Sequence, residues 1–212
     1  EDESWSDYPV IPLSRYPHLA MVRPFLFAWQ FLTAIPLSHS THDAKPEELA
    51  ASMSWYPMVG CLLGALLAAA DVVLAQVFSS QVTNVLLILL LVAVTRGLHQ
   101  DGLADMVDGL AGGRTAHARL TIMKDAHIGA IGAAGLFLAL GMRWAGLNAV
   151  PAGEHIAVLI SMPVVGRWAM VVGSFHVTYA RPEGGLAQPF LAHVTWKHLC
   201  VATITAGLVL AL

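Results

Sequence analysis

The sequence predicts an all-α, polytopic integral membrane helical bundle, and three observations support this class. Of its 212 residues, 57% are hydrophobic and only 12% are charged, whereas a typical soluble domain carries about 25% charged residues. The mean hydropathy is +0.66. The apolar residues form continuous runs instead of an alternating pattern, which favours membrane helices over a β-barrel.

We expect a single membrane-embedded domain, residues 1–212, in contact with lipid. The chain begins without Met and ends inside an apolar run, VATITAGLVLAL, which is shorter than the ~20 residues that a span needs. We therefore expect the domain to be C-terminally incomplete. The net charge of −3 says little about partners. We expect no nucleic acid, and we leave the formation of a homo-oligomer open.

The N-terminal half contains a short apolar segment and two spans. Residues 24–36 are apolar but only thirteen long, which favours an interfacial or re-entrant helix. Residues 45–48, KPEE, have the proline and acidic side chains typical of a first helical turn. Gly60, Gly64 and Ala68 recur every four residues, which predicts a face that packs closely on another helix. We expect the first span at 56–78, a turn at 79–84 and a second span at 85–98.

The C-terminal half begins with the charged segment 99–129. It contains four of the fourteen acidic residues and three of the eleven basic ones. A Gly-Gly pair at 112–113 predicts a break between an acidic helix and a second short helix. We expect that helix at 115–125, spans at 130–147 and 155–175 with a turn at 148–154 between them, then a polar loop and the final apolar run.

The distribution of Lys and Arg predicts the orientation in the membrane. The turns 79–84 and 148–154 contain neither residue, whereas eight of the eleven lie in four other polar segments. By the positive-inside rule those four segments are cytoplasmic. We therefore expect a protein of the cytoplasmic (inner) membrane whose charged segment, 99–129, faces the cytoplasm. The four segments are 1–23, 37–54, 99–129 and 176–197.

Asp101, Asp105 and Asp108 have the spacing i, i+4, i+7. On an α-helix this spacing places them within an arc of roughly 60°. Three carboxylates held so close repel one another, and bound cations would relieve that repulsion. Oxygen-only ligands suit Mg²⁺ or Mn²⁺, so we predict a metal site here. The alternative is a solvated helix face that is merely acidic.

Cationic side chains accompany these carboxylates. Arg119 and Lys124 lie in the same segment, and Arg167 and Arg181 follow in and after a later span. Carboxylates that hold a divalent metal, combined with cations that bind phosphoryl oxygens, are typical of phosphoryl transfer. Arg167 lies within a span, so it needs either an anionic partner or room to extend its side chain to the interface.

Three further side chains have open roles. His99 is either a general base or a structural hydrogen-bonding group. Glu47 and Glu48 either reach this site or serve only as charges at a helix N-terminus.

The chain resembles the cobalamin synthase family, the membrane-bound adenosylcobinamide-GDP ribazoletransferases. Its signature is the run H-x-D-G-L-A-D-x-x-D-G-L from His99, followed by R-L-x-I-M-K-D-x-x-I-G from Arg119. Shorter pieces match in order from residue 23 onward. These are F-L-T-x-I-P from Phe31, W-x-P-x-V-G from Trp55, G-R-W from Gly166 and Y-A-R from Tyr179.

The resemblance implies the last assembly step of the cobalamin nucleotide loop, with Mg²⁺ as cofactor. A hydroxyl of α-ribazole, or of its 5′-phosphate, attacks the β-phosphate of adenosylcobinamide-GDP, GMP leaves, and adenosylcobalamin or its 5′-phosphate forms. We expect carboxylates to hold the metal, one of them to accept the hydroxyl proton, and cations to bind the diphosphate. The expected metal ligands and catalytic acids are Asp101, Asp105, Asp108 and Asp125, and the expected diphosphate ligands are Arg119, Lys124, Arg167 and Arg181.

Two other classes compete with this interpretation. Asp105-x-x-Asp108-Gly109 is similar to the opening of the CDP-alcohol phosphotransferase motif, but its later half, G-x-x-x-D-x-x-x-D, is absent from the sequence. An ion-coupled transporter would place its carboxylates near the midplane in paired repeats. No repeat pairs with the acidic segment, so both classes are the weaker alternatives.

Overall fold

The computed structural model describes residues 22–37 and 44–211, and its secondary structure within these ranges is entirely helical. The predicted all-α class is therefore confirmed. The segment before residue 22 lies outside the described residues. The α-helices are α1 (Arg23–Leu32), α2 (Pro46–Ser52), α3 (Tyr56–Leu74), α4 (Ser80–Val94), α5 (Leu98–Gly112), α6 (Ala116–Ile122), α7 (Ala130–Ala149), α8 (His155–Ser174), α9 (Gln188–His193) and α10 (Trp196–Leu210).

Among the described residues, three helical segments are long and apolar enough to cross a membrane. They are Pro46–Leu74, Ala130–Ala149 and Ala152–Ser174, and the bent pair α4–α5 adds a fourth if it is counted as one span. On α7, Phe137 and Met142 are 77% and 75% exposed. Exposed apolar side chains on so long a helix are typical of a face that contacts lipid. The predicted polytopic membrane bundle is therefore confirmed.

The centre of the bundle is the close pair α3 and α8. A Cβ added at Gly60 would lie 2.6 Å from the Pro163 carbonyl oxygen, and one at Gly64 would lie 2.5 Å from the Ile160 Cα. Only glycine leaves room for two helix backbones at this separation. The close-packing face predicted from these glycines is confirmed.

Buried apolar side chains form two clusters around this pair. One cluster joins α1, α3, α8, α9 and α10, with Tyr56 and Val171 near its centre. The other joins α3, α4, α7 and α8 through Leu67, Leu87 and Leu147. The two clusters hold the long helices together and leave α5 and α6 at the edge of the core.

The predicted turn at 79–84 is wrong, because α4 already begins at Ser80. His155 Nε2 lies 3.1 Å from Asn84 Oδ1, and His155 Nδ1 lies 3.4 Å from Asp71 Oδ2. Asn84, one of the polar residues that suggested a turn, instead lies on α4 and contacts His155 of α8, which also contacts Asp71 of α3. Two other helices, α1 and α6, end at Leu32 and Ile122, earlier than predicted.

The acidic helix is separated from the preceding span by a sharp corner. The predicted span 85–98 ends at Val94, and the axes of α4 and α5 differ by 89°. Gly97 has a φ of +66°, which glycine adopts without strain. Arg96 has a φ of +53°, which is uncommon for a residue with a side chain. The corner directs α5 away from α4 and onto the first half of α7.

Candidate active site

Asp108 connects α5 to the N-terminus of α7. Its Oδ2 accepts a hydrogen bond from the Gly129 N–H and its Oδ1 accepts one from the Gly132 N–H, each at 2.7 Å. A Cβ at these glycines would come within 2.5 and 2.2 Å of the carboxylate oxygens. Free N–H groups and the positive end of the helix dipole favour a carboxylate in this position. Asp108 therefore caps the N-terminus of α7 from the neighbouring helix α5, beside the N-cap residue Gly129.

Asp101 and Asp105 line a cleft of about 530 Å³ between α5 and the connection from α6 to α7. The connection contributes Lys124, Asp125 and His127 to the same cleft. We call this space, lined by these five side chains, the acidic cleft. It brings together three of the four predicted acidic residues and one of the predicted cations.

Asp105 lies at the centre of the charges around the acidic cleft. It is half-buried, whereas Asp101 is exposed. Asp101 and Asp108 lie near enough to repel its carboxylate, and Arg181 lies near enough to attract it. Arg181, on the loop after α8, therefore lies within electrostatic range of Asp105, but it does not line the acidic cleft.

Two contacts orient the connection from α6 to α7. The Asp125 Oδ1 accepts a hydrogen bond from the His127 N–H at 3.0 Å and lies 2.7 Å from the His127 ring nitrogen Nδ1. These bonds hold the pKa of Asp125 below its usual range. The Lys124 ammonium pairs with the Glu183 carboxylate and lowers the pKa of Glu183. Lys124 thus lines the acidic cleft with an acidic partner already beside it.

Three predicted or alternative site residues lie elsewhere. Arg119 donates from its Nε to the Gly113 carbonyl oxygen at 2.9 Å, so it holds the connection from α5 to α6. Glu48 Oε1 lies 2.9 Å from the Arg23 guanidinium. Glu47 lies at the same helix start, so these two glutamates act as charges at the N-terminus of α2.

A second, smaller cavity of about 110 Å³ lies between the start of α5, α7 and α8. It is lined by His99 and Gln100 from α5, Arg143 from α7 and Arg167 from α8. We call it the inner cavity. The His99 Nε2 lies 3.2 Å from the Met170 sulfur, and His99 does not line the acidic cleft. Gln100 lines both spaces, so the inner cavity adjoins the acidic cleft.

The donor set of the acidic cleft fits Mg²⁺. Within the described ranges, no three His, Cys, Asp or Glu side chains converge on one point. Mg²⁺ keeps several of its waters and is often held by one or two carboxylates together with substrate phosphates. Asp101 and Asp105, one helical turn apart on α5, provide such a pair of carboxylates, and Asp125 lines the same cleft.

Sequence reasoning did not identify Arg143 and Gln100 as lining residues. Arg143 could have been found from its charge within an apolar span, because intramembrane charges are usually functional. No sequence signal distinguishes Gln100, because its position between the two spaces depends on the corner before α5. The capping role of Asp108 was also missed, because it depends on how α5 packs against α7.

Together these features define a class: a polytopic helical membrane protein in which carboxylates and cations meet at one cleft. The chain belongs to the cobalamin-5-phosphate synthase family, whose model matches residues 24–212. The resemblance inferred from the signature residues is therefore confirmed, and a CDP-alcohol phosphotransferase or a transporter is not favoured.

Curated relatives named adenosylcobinamide-GDP ribazoletransferase are similar over most of the chain. The protein of Syntrophobacter fumaroxidans is 43% identical over 176 residues, which is 82% of this chain and 71% of the relative. That of Desulforamulus reducens is 39% identical over 75% of this chain and 63% of the relative. That of Chlorobaculum tepidum is 36% identical over 90% and 73%. No solved structure matches the chain.

Proposed function

We propose that this chain transfers the adenosylcobinamide phosphate group of adenosylcobinamide-GDP to α-ribazole or its 5′-phosphate, with release of GMP. The relatives are named for this ribazoletransferase activity. The observation that carries the proposal is the acidic cleft, where Asp101, Asp105 and Asp125 lie beside Lys124. Displacement at phosphorus needs groups that position and neutralise phosphoryl oxygens, and this cleft contains both kinds of charge.

The reaction exchanges one phosphorus–oxygen bond for another. An acceptor hydroxyl oxygen bonds to the β-phosphorus of the donor, the bond from that phosphorus to the bridging oxygen breaks, and GMP leaves with the bridging oxygen. We assign the hydroxyl proton to Asp105, because its carboxylate is half-buried between Asp101 and Asp108. His99 lies at the inner cavity, so we do not assign this proton transfer to it.

Asp101 and Asp105, with Asp125, would hold Mg²⁺. When bound, the ion supplies positive charge for the diphosphate oxygens and a template that orients them. Asp108 contributes by fixing α5 against α7, since both of its oxygens already accept backbone hydrogen bonds. This fixes the angle at which Asp101 and Asp105 enter the cleft.

Lys124 and Arg181 are the cations that we assign to the donor diphosphate. Lys124 lines the acidic cleft, and Arg181 lies within electrostatic range of Asp105. Glu183 pairs with Lys124, so an incoming phosphate displaces or shares this partner. We infer from the Lys and Arg distribution that the cleft opens to the cytoplasm at the inner membrane.

A turnover assay tests the proposal. Protein in lipid nanodiscs is mixed with adenosylcobinamide-GDP, Mg²⁺ and α-ribazole or its 5′-phosphate, and GMP and the corrin product are separated by chromatography. The wild type should release one GMP per corrin product, and Asp105→Asn should lose at least about a hundredfold in rate. Glu154→Gln is the matched control, because this exposed carboxylate lies at the opposite end of the bundle. No GMP from the wild type would contradict the proposed function.

A further inference from the structure

The inner cavity contains two guanidinium groups and no carboxylate. Arg143 and Arg167 line it from two different helices, α7 and α8. None of the ion pairs among the described residues involves either arginine. Arg143 instead acts on Arg167 as a like charge. Two positive side chains therefore share one small space without a counterion from residues 22–37 or 44–211.

Polar atoms around the inner cavity also lack partners. Arg167 is only 6% exposed, and its Nε has no hydrogen-bond partner in the described part of the chain. The Gln100 Oε1 is also buried and without a partner, but as an acceptor it needs a donor and does not itself favour an anion. Burying an unpaired charge is costly, and a protein tolerates this cost mainly where a ligand supplies the missing partner. The inner cavity therefore has the composition of an anion-binding site.

We propose that the inner cavity binds the 5′-phosphate of a phosphorylated acceptor, α-ribazole 5′-phosphate. A doubly charged phosphate monoester matches two guanidinium groups, each of which can donate two parallel hydrogen bonds to its oxygens. The cavity of about 110 Å³ is several times larger than the ~10–15 Å³ that one water needs, so it accommodates one phosphoryl group. Gln100 lies at the boundary between the inner cavity and the acidic cleft.

The position of the inner cavity fits an acceptor subsite. Gln100 lines both the inner cavity and the acidic cleft, and the next residue is Asp101. A phosphate held by Arg143 and Arg167 leaves the ribose to extend past Gln100, so that a ribose hydroxyl reaches the acidic cleft. This assignment rests on the proposed function and narrows its acceptor. The family description, which names a 5-phosphate product, agrees with it.

Acceptor discrimination tests the assignment. The value of kcat/KM is measured for α-ribazole 5′-phosphate and for α-ribazole, with saturating donor, in the wild type, Arg143→Gln and Arg167→Gln. Each variant should lower the ratio of the phosphorylated to the unphosphorylated acceptor by roughly tenfold to a hundredfold, the effect of losing hydrogen bonds to a charged group. Arg114→Gln is the matched control, because this exposed arginine lines neither space, and its ratio should equal that of the wild type.

A second measurement, inhibition by sugar phosphates, uses only the wild-type protein and so does not depend on whether a variant folds. Ribose 5-phosphate should inhibit the wild type competitively against α-ribazole 5′-phosphate at saturating donor, and ribose should inhibit much more weakly. An unchanged acceptor ratio in Arg143→Gln and Arg167→Gln, or equal inhibition by the two sugars, would overturn the assignment of the inner cavity. The proposed function would survive either result. It fails only if the wild type releases no GMP with α-ribazole 5′-phosphate and none with α-ribazole.

Discussion

Replacing Asp108 with alanine should loosen the contact between α5 and α7. Two hydrogen bonds of 2.7 Å join its carboxylate to the Gly129 and Gly132 N–H groups. A hydrogen bond to a charged group contributes about 1.5–3 kcal/mol, and the half-buried site lets water replace part of this. We therefore expect a loss of about 3 kcal/mol in the free energy of unfolding. For a chain of this size, that corresponds to a fall of about 6–12 °C in Tm.

The assay is thermal unfolding of the purified protein in detergent micelles without substrate or divalent metal. Asp108→Asn keeps one carbonyl acceptor, so it should show about half of the loss. Asp101→Ala is the matched control on the same helix, and it should change the free energy of unfolding by less than about 1 kcal/mol. If Asp108→Ala unfolds at the same temperature as the wild type, the capping interaction does not stabilise the fold as reasoned.

Two further predictions concern helix packing and pH. Gly64→Ala should destabilise the protein by about 1–3 kcal/mol, because its Cβ would lie 2.5 Å from the Ile160 Cα. Gly141→Ala is the control, because a Cβ added at Gly141 would have no neighbouring atom within 4 Å. This variant should melt at or above the wild-type temperature. His127→Ala removes a hydrogen bond that holds the pKa of Asp125 low, so the carboxylate would become protonated at a higher pH. The acidic limb of the pH–rate profile should then move to higher pH, and an unmoved limb would show that Asp125 does not control it.

The long helices could be predicted from the sequence because apolar runs and polar breaks are local properties. The acidic segment was also recognised as a helix, since Asp101, Asp105 and Asp108 share one face by spacing alone. The sequence could not show that Asp108 binds the N-terminus of α7 whereas Asp101 and Asp105 line the acidic cleft. The contact between Asp108 and α7 forms only because the chain turns at Gly97 and folds back.

The inner cavity also could not be predicted from the sequence, because it is formed by contacts between different helices. The position of Arg167 within a span predicts a functional role from the sequence alone. Its neighbour in the inner cavity, Arg143, comes from another helix. Spacing along one helix cannot reveal that two arginines from α7 and α8 share a space. The end of α4 illustrates the reverse error, since the polarity of residues 79–84 suggested a turn although Asn84 is buried against His155.

Direct metal binding tests the central claim that the carboxylates of the acidic cleft capture a divalent cation. Mn²⁺ binding to the purified protein is followed by electron paramagnetic resonance, with Mg²⁺ as competitor. We predict saturable binding that Mg²⁺ displaces, weakened at least about tenfold in Asp105→Asn and unchanged in Glu154→Gln. Equal Mn²⁺ affinity in the wild type and Asp105→Asn would contradict the account.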